Sequence, residues 1–261
     1  MERLNQAVVL CGGLGARLRP ITENLPKPLA PVGGRPFLEY LICQLREQHL
    51  ERVVLLTGYY GEMIRDYFGD GAGHGIQIDY SSGPAEWDTG RRIWEGKKML
   101  DSRFLLLYSD NYVPVNVEKL RSAHLASSSV VTLLLHEKEN GNVRLDVDGN
   151  VEVYDPTRSK RGLNYVEIGY MIIERGRMLD AYNVPDVSFS EILEKLVRAG
   201  QVSGLVSGDS YHSISDLNRL KLAEQYLAVK RVLMIDRDGT INKRAPRGEY
   251  IASWHDFHWE P

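Results

Sequence analysis

Three glycines, Gly12, Gly13 and Gly15, crowd into four positions directly after the apolar run Ala7-Val8-Val9-Leu10, and four prolines, Pro20, Pro26, Pro28 and Pro31, follow them. The apolar run reads as a buried parallel strand. A chain leaving such a strand usually enters a helix, but prolines at this density remove the donors a helix needs. What remains is a long ordered loop. Its glycines let the backbone turn tightly and present N–H groups to a ligand. Arg17, Arg19 and Lys27 add positive charge to those neutral donors. That combination suits a polyphosphate better than an uncharged ligand. The loop is not a Walker motif, since no Gly-Lys-Ser/Thr closes it, and not a dinucleotide fingerprint, since no helix opens directly after the glycines.

The rest of the chain sets the frame for that loop. Of 261 residues, 43% are hydrophobic and 26% charged, which is ordinary for a globular protein with a sizeable core. With a net charge of −3 nothing suggests a nucleic-acid surface, so the basic loop reads as a local site. The two cysteines, Cys11 and Cys43, fall in apolar patterns and read as core residues in a reducing compartment. No apolar run approaches the ~20 residues of a membrane span, and Met1–Gln6 lacks a signal-peptide core. The expectation is a cytoplasmic protein with no membrane and no nucleic-acid partner.

Strand patterns at Ala7–Leu10, Arg52–Thr57, Ile76–Tyr80, Phe104–Tyr108 and Val130–Leu135 alternate with helical ones at Phe37–Gln48, Glu62–Phe68, Arg91–Leu100 and Val117–Ala126. Thr89 is expected to cap the third helix and Asn116 the fourth. Alternation of this kind predicts an α/β fold with a mainly parallel sheet covered on both faces. Ligands then sit beyond the carboxyl ends of the strands, where both the glycine loop and Asp110 fall. Asp148-Gly149 signals a hairpin, and helices are expected near Ser190–Ala199 and Ser215–Val229.

Gly12, Gly13, Gly15, Arg17, Leu18, Pro20, Pro26, Lys27 and Pro28 match a GG-x-G-x-R-L-x-P loop followed by P-K-P. The chain thereby resembles the sugar-1-phosphate nucleotidyltransferases, over about residues 5–228. The resemblance implies the nucleotide-diphospho-sugar transferase fold, a Rossmann-like mainly parallel mixed sheet flanked by helices. It also implies attack of a sugar-1-phosphate oxygen on the α-phosphorus of an NTP, with Mg²⁺ as cofactor. Arg17 would grip the triphosphate and Lys27 bridge the two phosphates. Leu10, Gly12, Gly13, Gly15 and Ala16 would contact the nucleotide, Ala16 standing where a small hydroxyl residue is usual. Asp110, preceded by Ser109 where glycine is usual, would hold the metal; read alone, Asp110-Asn111 equally fits a turn.

Other segments depart further. Asp88-Thr89-Gly90 lines up with a nucleobase segment, but Asp88 replaces a glycine, and its side chain either reaches a base amino group or blocks the usual pose. Ser213 falls where a second metal-binding acid belongs, with Asp216 three residues on, in place to cap the last helix. Gly141, Glu167 and Gly169 match positions that meet the sugar, although Glu167 alone reads equally as an edge-strand surface residue. The usual sugar-phosphate lysine is missing near Asp155, leaving Arg158, Lys160 or Arg161 to approach instead.

The segment from Arg231 differs again. Asp236-Arg237-Asp238-Gly239-Thr240 after an apolar strand resembles the first motif of haloacid-dehalogenase (HAD)-type phosphatases, with Asp236 as nucleophile and Asp238 as general acid/base. Residues 1–229 are therefore expected to form the transferase domain, and 230–261 a truncated HAD-like segment without phosphatase activity. The resembled branch comprises histidinol-phosphate and heptose-bisphosphate phosphatases, and with a heptose bisphosphate as its substrate the joint expectation is activation of a heptose 1-phosphate with GTP for surface glycans. Association with further copies of the chain stays open. Competing readings are another sugar or base on the same scaffold, or a non-catalytic nucleotide-sugar-binding module. Removing residues 231–261 is expected to leave nucleotidyl transfer and melting temperature nearly unchanged; a large loss of either would place the segment in the first domain's core.

Overall fold

The computed structural model describes residues 3–182 and 186–228. The chain divides into two units, Met1–Leu227 and Ala228–Pro261, and every element below belongs to the first. Its strands are β1 (Gln6–Cys11), β2 (Pro31–Val32), β3 (Arg35–Pro36), β4 (Arg52–Thr57), β5 (Gln77–Ser82), β6 (Arg103–Tyr108), β7 (Asn111–Tyr112), β8 (Val131–Glu137), β9 (Val143–Leu145), β10 (Val151–Tyr154), β11 (Tyr165–Glu174), β12 (Val202–Ser207) and β13 (His212–Ser213). Its helices are α1 (Phe37–Glu47), α2 (Gly61–Phe68), α3 (Thr89–Gly96), α4 (Val117–Ser127), α5 (Arg175–Asp180), α6 (Phe189–Arg198) and α7 (Leu217–Leu227).

Nine strands form one mixed sheet. β1 pairs in parallel with β4 and β6, and β4 with β5, which makes the parallel half the alternation predicts. The long β11 then runs antiparallel between β6 and β8, and β12 adds to β8 in parallel. Because a strand's side chains alternate faces, β1 serves two cores. Ala7, Val9 and Cys11 join Phe37, Leu41 and Ile64 on one face, whereas Val8 and Leu10 join Ile93, Phe189 and Ile192 on the other. The hairpin at Asp148-Gly149 forms between β9 and β10. No helix among the described residues is long and apolar enough to cross a membrane.

Local differences have local causes. Asp88, not Thr89, caps α3: its carboxylate accepts from Thr89 N at 2.8 Å, so the helix begins two residues earlier than its apolar pattern suggests. α3 also ends at Gly96, with a 3-10 turn at Lys97–Met99. Asn116 caps α4 as expected, accepting from Lys119 N. Ser188 and Glu191 close a capping box that starts α6 at Phe189. The phosphatase-like strand and its acids, Asp236 and Asp238, lie outside the described residues.

One side chain binds the loops at the carboxyl ends of the parallel strands. Arg92, only 4% exposed, donates from Nη1 to Thr57 O (2.7 Å) and from Nη2 to Gly12 O (3.2 Å), Pro84 O (2.8 Å) and Ala85 O (3.2 Å). A Cβ on Gly12 would overlap this guanidinium, and one on Gly58 would stand 2.6 Å from it. The glycine after β1 is therefore needed as much for Arg92 as for a ligand. Arg92→Ala is expected to cost about 2–4 kcal/mol, combining lost charged hydrogen bonds with a cavity. A change below about 0.5 kcal/mol in denaturant unfolding, the scale of an ordinary surface substitution, would show that the loops hold without it.

Candidate active site

The glycine loop folds back on itself through three 3-10 turns, and Gly15 decides where its lysine stands. Gly15 adopts φ +64°, and a Cβ there would lie 2.9 Å from Cβ of Lys27. Thr22 Oγ1 donates to Gly15 O at 2.8 Å, closing the loop. Lys27 Nζ then reaches Asp110 Oδ2 at 2.5 Å, across 83 residues of sequence. The two side chains are 14% and 26% exposed, withdrawn from water but open to a ligand. Asp110 is fixed by its neighbours: Ser109 Oγ donates to Leu10 O at 2.7 Å, and Ile214 N donates to Asp110 O at 2.9 Å. Ser109 thus earns its place as a tie between β6 and β1.

A pocket of about 260 Å³ opens here. Seven sequence-predicted residues line it: Leu10, Gly12, Gly13, Lys27, Asp88, Thr89 and Asp110. Trp87, Arg92 and Tyr108 line it too. Gly15, Ala16 and Arg17 lie outside this lining; Arg17 is exposed on the Ala16–Leu18 turn and has no hydrogen bond or ion pair among the described residues. Gly90 is placed by packing, since its N–H donates to Val187 O at 3.0 Å and a Cβ would collide with that oxygen. A larger depression of about 790 Å³, around Arg46, His49 and Asp70, lies at the amino ends of β4 and β5, on the side of the sheet away from the glycine loop.

The sugar-side residues divide. Gly169, at φ +82°, sits against Tyr108 and Asn111, with space for a Cβ only 2.8 Å from either. Its N–H donates to Glu167 Oε1 at 2.5 Å, and Glu167 N donates to Asn142 Oδ1 at 3.0 Å. Burial pushes the Glu167 carboxyl up to about 7, and the charge of Asp110 adds to the rise, against the Gly169 N–H and Arg158. Glu167 and Gly169 therefore adjoin the strand end that carries Asp110. Gly141 is set by backbone packing, because a Cβ there would run into Tyr165 O. Arg158, Lys160 and Arg161 are exposed on a turn organised by Asp155, whose carboxylate accepts from Thr157 Oγ1 and Lys160 N and is held well below the usual range by such bonds.

The second-acid position is a serine in a different role. β13 pairs with β7 so that Ser213 faces Asn111, and Ser213 Oγ accepts from Arg219 Nη1 at 3.0 Å. Asp216 caps α7, accepting from Arg219 N. Among the described residues no group of three His, Cys, Asp or Glu could hold a metal. Asp110 keeps Oδ1 clear of the lysine, and Mg²⁺ commonly uses one or two carboxylates with phosphate oxygens and water, so the donor set fits a metal that arrives with a triphosphate. Trp87 and Arg92 were not legible as site residues. Arg91-Arg92 at the start of a helix carries no signal for which arginine turns inward.

A family model described as nucleotidyl transferase matches residues 6–256, a span that takes in the segment with Asp236 and Asp238. A D-glycero-alpha-D-manno-heptose 1-phosphate guanylyltransferase of Aneurinibacillus thermoaerophilus is 37% identical over 131 residues, covering 50% of this chain and 56% of that relative, so the chain spans little more than half its length. The protein of the same name from Campylobacter jejuni is 31% identical over 195 residues, covering 73% of this chain and 85% of the relative. The crystal structure of HddC from Yersinia pseudotuberculosis superposes with a TM-score of 0.73 at 23% identity, covering 85% of this chain and 99% of the other, which shows a shared fold. The family match over most of the sequence and the second relative agree: the chain belongs to the nucleotidyl transferase family.

Proposed function

We propose that the protein transfers a guanylyl group from GTP to a heptose 1-phosphate, releasing pyrophosphate and forming a GDP-sugar for surface-glycan synthesis. The observation that carries this is the Lys27–Asp110 pair, closed at 2.5 Å beside the glycine loop in a pocket lined by Leu10, Gly12, Gly13, Asp88 and Thr89. The base and sugar follow the two guanylyltransferases at 31–37% identity. A second crystal structure of HddC, complexed with GMP-PN, shows a nucleotide analogue held by a protein of this fold.

In the proposed mechanism a phosphate oxygen of the sugar attacks the α-phosphorus of GTP, and the bond to the bridging oxygen breaks as pyrophosphate leaves. No covalent enzyme intermediate is needed, so positioning and charge compensation carry the rate. Gly12 and Gly13 bring backbone close to the phosphates. Lys27 spans the α-phosphate and the incoming sugar phosphate, and Arg17, exposed beside the loop, closes on the triphosphate. Glu167 and Gly169 orient sugar hydroxyls next to Asp110, with Gly141 shaping the backbone behind them. Asp110 would hold Mg²⁺, which when bound neutralises charge developing on the phosphates.

The two free thiols, Cys11 and Cys43, support a cytoplasmic setting. The tail is read separately, as the opening of a HAD-type phosphatase domain from residue 230 with Asp236 and Asp238 as its acids. Its support is sequence resemblance alone, and the family match that reaches residue 256 weighs the other way.

Lys27→Ala, Arg17→Ala and Asp110→Asn are each expected to cut turnover by roughly 100-fold or more, as for other groups that stabilise phosphoryl charge. Pyrophosphate release with GTP and heptose 1-phosphate measures it; near wild-type turnover in the Lys27 and Asp110 variants would sink the assignment. Glu167 gives a pH signature. Its native carboxyl titrates near 7 rather than 4.5, so between those values the folded chain binds more protons than the unfolded chain and stability falls as pH rises. Glu167→Gln is expected to abolish that fall. Identical pH slopes for wild type and variant in denaturant unfolding from pH 4.5 to 8 would show that Glu167 titrates normally.

A further inference from the structure

Asp88 is an exposed carboxylate lining the pocket, and several of the acceptors around it are already engaged. Arg92 occupies the carbonyls of Gly12, Pro84 and Ala85. Ser109 Oγ is turned to Leu10 O, and Asp110 Oδ2 to Lys27. Thr89 Oγ1 accepts from Phe189 N at 2.7 Å. Asp88 uses Oδ1 to accept from Thr89 N at 2.8 Å, and its Oδ2 has no partner among the described residues. A free carboxylate repels a triphosphate, so the phosphates belong with Lys27 and the glycine loop, and the Trp87–Thr89 side of the pocket is left to the base.

The nucleobases differ in what they offer such a group. Guanine presents two adjacent N–H donors, at N1 and the 2-amino group. Adenine and cytosine each set one amino group beside a ring acceptor, and uracil sets one N–H between two carbonyls. Only the guanine edge gives a carboxylate two donors with no opposed lone pair. We propose that Asp88 selects the nucleotide by accepting from N1–H and the 2-amino group of guanine. This deepens the guanylyl-transfer reading above and rests on it. The same charge acts against other bases, because their ring acceptors or carbonyls would face it unpaired.

The test is calorimetric binding of GTP, ITP and XTP, each with Mg²⁺, to the full chain. ITP lacks the 2-amino group, and XTP carries an oxygen in its place. The wild type is expected to bind GTP about 10- to 100-fold tighter than ITP or XTP, the range for a paired polar contact to a base edge. Asp88→Asn, whose amide keeps the contact to Thr89 N, is expected to weaken GTP and strengthen XTP, shrinking their ratio at least tenfold with melting temperature unchanged. Asp88→Ala is expected to bind all three alike. If the wild type prefers GTP and both variants keep its ratios, or weaken all three equally, Asp88 is only a helix cap and the assignment is wrong. If the wild type binds none of the three, the guanylyl-transfer reading itself is wrong.

Discussion

The parallel pairing of β1 between β4 and β6 is the constraint on which the site depends. Leu10 lies level with Leu56 on one side and Tyr108 on the other, so three chains leave the sheet at the same height. Gly12, Gly58 and Asp110 are therefore brought to one edge of the sheet by register. Parallel strands need long crossovers, and the helices that supply them cover both faces and dry the core. The loops that emerge at this edge carry unpaired carbonyls close together. Arg92 meets that need with a single buried guanidinium, which offers several donors in a fixed plane. Glycine at positions 12 and 58 is the other half of this arrangement, since any side chain there would displace it.

Charge is distributed unevenly around the pocket. Lys27 is already paired with Asp110, Arg92 is committed to backbone, and Glu167 and Asp88 add acid on either side. Negative charge in such a site is not a liability if each acid has a distinct task. Asp110 sets the lysine, burial and the charge of Asp110 raise the Glu167 carboxyl above its ordinary range, and Asp88 caps α3. Ser213 belongs to the same pattern. With Arg219 bonded to its hydroxyl, Ser213 adds no further negative charge beside the Ile214–Asp110 contact.

The tie between α7 and the active edge shows how the second half of the unit serves the first. β13 pairs with β7, and Ile214 donates to Asp110 O, so the C-terminal helix begins where the site's acid stands. β11 does the same from the middle of the sheet: its irregular register between Glu167 and Met171 lets Gly169 pack on Tyr108 while the Glu167 carboxylate accepts from Gly169 N.

The sequence by itself determined the parallel α/β half, the glycine loop with Lys27 in it, the prolines that keep it from becoming a helix, and the placing of Asp110 at a strand end. Those properties are local: apolar periodicity, glycine density and proline geometry act within a dozen residues. Tertiary structure alone decided that Arg92 rather than Arg91 turns inward, that β12 joins the sheet, that Gly90 and Gly141 answer to packing, and that Ser213 is held by an arginine. Each of these depends on partners far along the chain, as Arg92 does on Gly12 eighty residues away. A side chain's intrinsic preference says nothing about such a partner, because only the folded sheet brings the two within bonding distance.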